Sequence, residues 1–219
     1  VINDNILPTI NLLNEYSARD KKPLFIYAGT PEATAGATQM FDWPLPTTEE
    51  APYVVQDPKN PRWSYANSKA LGEQAVIHNG VLEWIAVRPQ NVYGPRQKDH
   101  FISEFVARAK QDEFTVFGGV NTRTFLYIDD CVDALIKLWK TKSAHNDIYN
   151  LGGNTETAIH SVASLLMQLM EKKGELVIHP APKGSVNRRW PDITKIKNAI
   201  DWEPTTELAV GLGRTLETL

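Results

Sequence analysis

Apolar residues recur at helical spacing over residues 5–20, where Ile6, Leu7, Ile10, Leu13 and Tyr16 mark one face. Pro8 falls in the first turn of this predicted helix, where a missing amide is tolerated. Residues 23–28 form a short apolar run ending at Gly29, the pattern of a buried parallel strand. From about 30 to 60 the chain is rich in Pro, Thr and Glu and reads as a loop, of a length that usually carries function. Asn60-Pro61 opens a helix to about Asn79, with Asn60 as its cap and Pro61 at its first position. Trp84 to Val87 is a second buried strand, closed by Arg88-Pro89.

The same reading predicts a helix over 99–111, then strands at 114–117 and 124–128 around a Gly118-Gly119 turn. An amphipathic helix over 129–140, a strand at 148–151, a helix over 158–172 and a strand at 176–179 follow. Helices near 192–200 and 206–217, separated by Glu203-Pro204, end the chain. Helices alternating with short apolar strands make the class α/β with a mostly parallel sheet. There is no internal repeat and no low-complexity tract.

Composition narrows the function classes. The 219 residues are 42% hydrophobic and 22% charged, with a formal net charge of −3. Without a basic excess, binding to nucleic acid or an anionic membrane has no electrostatic support. No apolar run approaches the roughly 20 residues that span a bilayer. Asn3, Asp4 and Asn5 interrupt any apolar core of a secretory signal, so a cytoplasmic location is expected. The single Cys131 lies in a helical pattern and reads as a small buried hydrophobe in a reducing compartment. The five His residues are scattered without ligand spacing, so no metal site is expected.

The chemistry centres on Tyr65 and Lys69. Four residues apart on a helix, they point from one face. A cation held near a phenol favours the phenolate, which can take a proton from an alcohol near neutral pH. The spacing alone also describes a surface pair with a Lys stem lying on a ring. Other segments decide between the two. Phe25 to Glu32 places the Thr30 hydroxyl and the Glu32 carboxylate just beyond a strand's C-terminal end, where open α/β sheets keep ligands. Val87-Arg88-Pro89-Gln90-Asn91-Val92-Tyr93-Gly94-Pro95-Arg96 follows the next strand. Thr122 to Asp130, Tyr149 to Gly153, Arg188 to Lys195 and Asp201 to Pro204 complete the set.

Taken in order, these segments resemble the extended short-chain dehydrogenase/reductase family, specifically its NAD-dependent sugar-nucleotide epimerases, dehydratases and decarboxylases. The resemblance covers almost the whole chain and begins in the middle of the family pattern. Asn5 to Leu13 looks like the family's fourth helix. The Gly-rich turn that holds the dinucleotide pyrophosphate has no counterpart here. Gly211-Leu212-Gly213 follows no strand, and Gly152-Gly153 lacks a third glycine. The resemblance therefore implies an N-terminally truncated Rossmann-like sheet with a smaller C-terminal α/β substrate-binding region, and an uncovered strand edge. Residues 1–95 would be the C-terminal half of the NAD-binding domain. Residues 96–219 would mainly bind substrate, with 124–151 returning to the first sheet.

The resemblance also implies roles. Tyr65 matches the catalytic base, Lys69 its ribose-binding neighbour, and Thr30 the hydroxyl that bonds the same sugar oxygen. Asn5 matches an Asn that supports the site. Glu32 matches a carboxylate found in members that remove a C5 proton or decarboxylate at C5; its plain reading is a solvated loop Glu. Pro31 replaces the Asp of the 4,6-dehydratases. The Asn60 to Trp63 approach and Arg188-Arg189 lean toward the decarboxylases, but the subtype stays open. Ala28, Gly29, Pro89 and Val92 match positions beside the cofactor, expected to be NAD, with NADP also open. Arg123 and Arg189 match diphosphate arginines, Asn91 a phosphate contact and Asp192 a ribose contact. Phe101, Ile102, Thr115 and Phe117 match the base pocket, although each also reads as plain core. A homodimer through helices 5–20 and 61–79 is implied. The alternative is a non-catalytic homologue that binds a sugar nucleotide or a partner chain; a classical alcohol or steroid reductase leaves the Arg123 and Arg189–Asp192 segments unexplained.

Overall fold

The structure, a computed structural model, describes all 219 residues apart from the side chain of Ile2. In chain order the elements begin α1 (Ile2–Ser17), β1 (Phe25–Ala28), a 3-10 turn Pro31–Ala33, α2 (Ala35–Phe41), α3 (Arg62–Ile77) and β2 (Trp84–Pro89). Then come β3 (Val92–Tyr93), α4 (Phe101–Ala109), β4 (Thr115–Phe117), β5 (Thr122–Arg123), β6 (Leu126–Tyr127) and α5 (Ile128–Lys140). The rest are β7 (Asp147–Leu151), β8 (Thr157–Ala158), α6 (Ile159–Leu169), β9 (Val177–His179), α7 (Thr194–Ile200) and α8 (Leu208–Leu216). They form two units. One comprises 1–90, 132–151 and 191–203; the other comprises 91–131, 152–190 and 204–219.

The first unit is built on a parallel sheet in the order β1-β2-β7, with Phe25 opposite Trp84 and Ile85 opposite Asp147. Ile85, Ala86 and Val87 are buried in its central strand, as the apolar run requires. β2 extends through Arg88 and Pro89. The proline is tolerated because it is the last residue of the strand. α1 packs on α3, and Leu13, Tyr27, Val76 and Leu82 share a core. The outer edge of β1 pairs with no strand among the described residues, and Ile26 on it is exposed.

Four sequence expectations shift in this unit. α1 begins at Ile2, so Pro8 lies inside the helix and not in its first turn. β1 is not a buried strand, because only Tyr27 of its four residues is buried, while Ile26 and Ala28 are exposed. Pro61, not Asn60, takes the cap of α3; Asn60 accepts the Arg62 N–H at 3.0 Å through its side-chain oxygen, so the start signal lies one residue upstream of the cap. The stretch 30–60 is not a bare loop, because it contains the 3-10 turn and α2. Ala35, Gly36 and Ala37 give α2 no apolar periodicity. They are buried because small residues let the backbone approach Val54, which would lie 2.8 Å from a Cβ at Gly36. Residues 191–203 also belong here. Pro191 bridges Thr47, whose carbonyl accepts the Asp192 N–H at 2.8 Å.

The second unit packs α4 and α6 around Ile102, Phe105, Val106, Val162, Ala163 and Leu166. The expected strand pair around Gly118-Gly119 does not form. β4 pairs in parallel with β9, β5 antiparallel with β8, and β3 in parallel with β6. Gly118, at φ +64, turns the chain where a Cβ would meet Ala181 at 2.9 Å. Its edge is thus taken by a strand some sixty residues on, a pairing that no local turn signal encodes. Cys131 is buried, and burial pushes its thiol up to about 11. No helix among the described residues is long and apolar enough to cross a membrane.

Candidate active site

α3 carries the first wall of the site. Tyr65 is 43% exposed, so its phenol is open to a ligand. One turn on, Lys69 is half-buried, and its ammonium sits over the Tyr27 ring, 4.8 Å from the centroid. Burial pulls the Lys69 ammonium down, and the Glu73 carboxylate partly offsets this. Among the described residues no carboxylate or hydroxyl binds that ammonium, so its three donors are unused. A half-buried ammonium one helical turn from an exposed phenol has donors suited to a vicinal diol. Asn5 supports this turn at one remove: its amide donates to Ser68 Oγ at 2.9 Å, and Ser68 donates to the Tyr65 carbonyl at 2.8 Å.

The second wall is the turn after β1. Gly29 is buried, and its N–H donates to the Val87 carbonyl at 2.7 Å, while the neighbouring Ala28 is exposed. Thr30 is buried in extended conformation; its Oγ1 accepts the Glu32 N–H at 3.3 Å and so caps the 3-10 turn. The hydroxyl proton remains available for a further bond. Glu32 is not a solvated loop residue. Its Oε2 meets Arg62 Nη2 at 2.5 Å, with side chains only 17% and 28% exposed. Arg62 lies three residues before Tyr65, so this ion pair ties the Thr30–Glu32 turn to the helix end that presents the phenol. The Arg62 Nε is buried without a hydrogen-bond partner.

Behind these walls lies a buried charge pair that the sequence reading did not assign to the site. Glu73 and Arg88 are 1% and 2% exposed. Arg88 donates Nε to Glu73 Oε2 at 3.2 Å, Nη2 to Glu73 Oε1 at 2.7 Å and Nη1 to the Glu49 carbonyl at 2.9 Å. Tyr53 donates its hydroxyl to Glu73 Oε1 at 2.6 Å. Two signals were present in the sequence: Glu73 stands four residues after Lys69 on the same helix face, and Arg88 is a lone charge in a buried strand. Pro89, expected beside the cofactor, ends β2 half-buried.

The remaining candidates fall mostly in the second unit. Asn91, at φ +37, donates its amide to the Thr124 carbonyl at 2.7 Å, and Val92 is half-buried beside it in β3. Arg123 donates to the carbonyls of Thr122 at 2.7 Å and Asn187 at 3.4 Å, and the Arg189 N–H reaches the Thr122 carbonyl at 3.2 Å. Both arginines therefore stand on adjoining lengths of chain. Arg188, by contrast, is gripped by Glu156 through two bonds of 2.8 and 2.6 Å, which hold the Glu156 carboxyl below its ordinary range. Thr115 donates to Glu113 at 3.1 Å. Phe117 is exposed and stacks on His179 at 5.1 Å. Ile102 is buried in the α4–α6 core, with Phe101 packed against it. Asp192 lies in the first unit, where its carboxylate accepts the Thr194 N–H at 2.8 Å at the start of α7. Among the described residues no cluster of His, Cys, Asp or Glu is arranged to hold a metal ion.

The NAD dependent epimerase/dehydratase family profile matches residues 1–152. A UDP-N-acetyl-alpha-D-glucosaminuronate decarboxylase of Bacillus cytotoxicus is 30% identical over 99% of this chain and 69% of its own length. UDP-glucuronic acid decarboxylase 1 of Xenopus tropicalis is 33% identical over 73% of this chain, but only 39% of its own length is covered. The crystal structure of a UDP-glucose 4-epimerase with UDP-glucose from Thermotoga maritima superimposes with a TM-score of 0.83 at 27% identity, covering 99% of this chain and 69% of that one. The profile covers the sheet, the Thr30 turn and the Tyr65–Lys69 helix, and the chain belongs to the NAD dependent epimerase/dehydratase family.

Proposed function

We propose that the protein acts on a nucleotide-linked sugar, oxidising it at C4 before an epimerisation, dehydration or decarboxylation. The observation that carries this reading is the Glu32–Arg62 ion pair at 2.5 Å, which joins Thr30 and Glu32 to the helix bearing Tyr65 and Lys69. Tyr65 takes the C4 hydroxyl proton, and Lys69, one turn on along α3, stabilises the phenolate that does so. Thr30 bonds the same oxygen. NAD, when bound, would supply the hydride acceptor for this oxidation. Tyr65 and Lys69 would hold its nicotinamide ribose, with Ala28, Gly29, Pro89 and Val92 beside the ring.

Once C4 is a ketone, the C5 proton is acidified and a C5 carboxylate can leave as carbon dioxide. Glu32, two residues after Thr30, would supply the carboxylate for either step, which favours the uronic-acid branch, in keeping with decarboxylase relatives. Arg123, Arg189 and Asn91 would bind the diphosphate, Asp192 the nucleotide ribose, and Phe101, Ile102, Thr115 and Phe117 the base. The protein works as a homodimer through α1 and α3, in the cytoplasm.

Mass spectrometry of products from candidate UDP- and GDP-sugars with NAD tests the reading. Loss of one carbon dioxide is the expected result with a UDP-uronic acid. Loss of water, or an isomer of unchanged mass, keeps the family chemistry and moves the branch. Tyr65→Phe abolishes turnover with an unchanged circular dichroism spectrum. Turnover retained in Tyr65→Phe rejects the mechanism, and sugar-nucleotide binding with no turnover under any cofactor supports a binding protein instead.

A further inference from the structure

The buried charge pair behind Lys69 has more contacts than a brace requires. Glu73 lies one turn beyond Lys69, and its carboxylate receives donors from two other parts of the first unit: Arg88 at the end of β2, and Tyr53 from the stretch after α2. On a third side it meets β1, where a Cβ at Gly29 would come within 2.6 Å of Glu73 Oε2. Gly29 therefore has no side chain at the spot the carboxylate fills. β1 also grips the preceding turn. The Tyr27 hydroxyl donates to the Lys69 carbonyl at 3.1 Å, and its ring fits under the Lys69 ammonium, where a Cβ at Gly72 would be 2.2 Å from the Tyr27 oxygen. Burial and the Glu73 carboxylate push the Tyr27 phenol up to about 12, so it stays protonated and keeps donating.

We propose that Glu73 is a positioning residue for Lys69: its carboxylate, fixed by Arg88 and Tyr53, registers the Tyr65–Lys69 face of α3 against the ends of β1 and β2 and so holds the ammonium over Tyr27. This rests on the reading of Lys69 as the cation beside the catalytic phenol. The charged and titratable groups that face Glu73 are Arg88 from β2, Tyr53 from the stretch after α2, Tyr27 from β1 and Lys69 from its own helix. Arg88 in turn is held at the Glu49 carbonyl, so the long stretch 30–60 closes the network from outside. A buried ion pair adds little net stability over apolar groups of the same volume.

The test separates the two roles. In Glu73→Leu/Arg88→Met both charges leave together, and neither partner is stranded. Carbon-13 lysine spectra, with Lys69 assigned by Lys69→Arg, are followed through a pH titration alongside urea unfolding. The expected result is an unchanged or higher urea midpoint together with Lys69 titrating at lower pH, because the carboxylate that supported its charge is gone. Glu73→Gln, which keeps the side-chain length and an oxygen for Arg88, gives the same downward shift by a second route. A Lys69 titration that stays at the wild-type position in either folded variant overturns the proposal, and lost stability with an unmoved Lys69 assigns the pair a structural role only. The titration reads the ammonium and not turnover. An unmoved Lys69 alongside Tyr65-dependent turnover rejects this proposal alone, whereas a shifted Lys69 with Tyr65-independent turnover rejects the catalytic reading and leaves Glu73 coupled to Lys69.

Discussion

Two arginine–glutamate pairs in this protein have nearly the same geometry and opposite settings. In the first unit Arg88 and Glu73 meet at 2.7 Å with side chains 2% and 1% exposed. In the second unit Arg188 and Glu156 meet at 2.6 Å with side chains 51% and 15% exposed. Both are forked contacts. The buried pair has lost its water, so each charge depends on the other and on Tyr53 and the Glu49 carbonyl. The exposed pair keeps solvent as an alternative partner, so it directs the chain near Arg189 without holding the unit together. The first unit therefore uses charge to fix a helix that bears chemistry, and the second uses it to steer a surface segment.

The sharpest way to break this comparison is Arg88→Met. It strands the Glu73 carboxylate in the core, and the expected cost is about 3–5 kcal/mol in denaturant unfolding. A loss below about 1 kcal/mol would mean that water reaches the pair and the contrast with the second unit is false. Next in size is Gly29→Ala, which drives a methyl against Glu73 Oε2 at 2.6 Å. The carboxylate is held by Arg88 and Tyr53 and has little freedom to retreat, so a loss of about 1–3 kcal/mol is expected in the same assay. Arg188→Met should change stability by no more than about 1 kcal/mol. Its effect should appear instead as weaker sugar-nucleotide binding by calorimetry, since it releases the segment that bears Arg189. Unchanged binding would leave Glu156–Arg188 as a surface contact without consequence for the ligand.

The fold was legible wherever the signal is local. The apolar runs that become β2 and β7 read as parallel strands because strands buried on both faces need no polar alternation; β1 has the same kind of run but lies at an edge, with Ile26 and Ala28 exposed. The Tyr65–Lys69 spacing on α3 could be read because a helix sets neighbours by sequence distance alone; of the face predicted on α1, Leu13 is buried but Leu7 is exposed. What failed was non-local. β4 pairs with β9 rather than across Gly118-Gly119, and α2 was missed because its small residues are buried by backbone approach rather than by an apolar stripe.

The site divides along the same line. The sequence by itself determined that Thr30 follows a strand, that Tyr65 and Lys69 share a helical face, and that the family's chemistry is that of a nicotinamide-linked alcohol oxidation. Only the tertiary structure decided the state of those groups. It turned Glu32 from a loop carboxylate into the partner of Arg62, thirty residues away in sequence. It placed Lys69 over Tyr27, forty-two residues away, and brought Arg88 to Glu73 across fifteen. A residue's identity and helical phase are fixed by the chain, but its charge, solvation and partners depend on which distant segments displace its water.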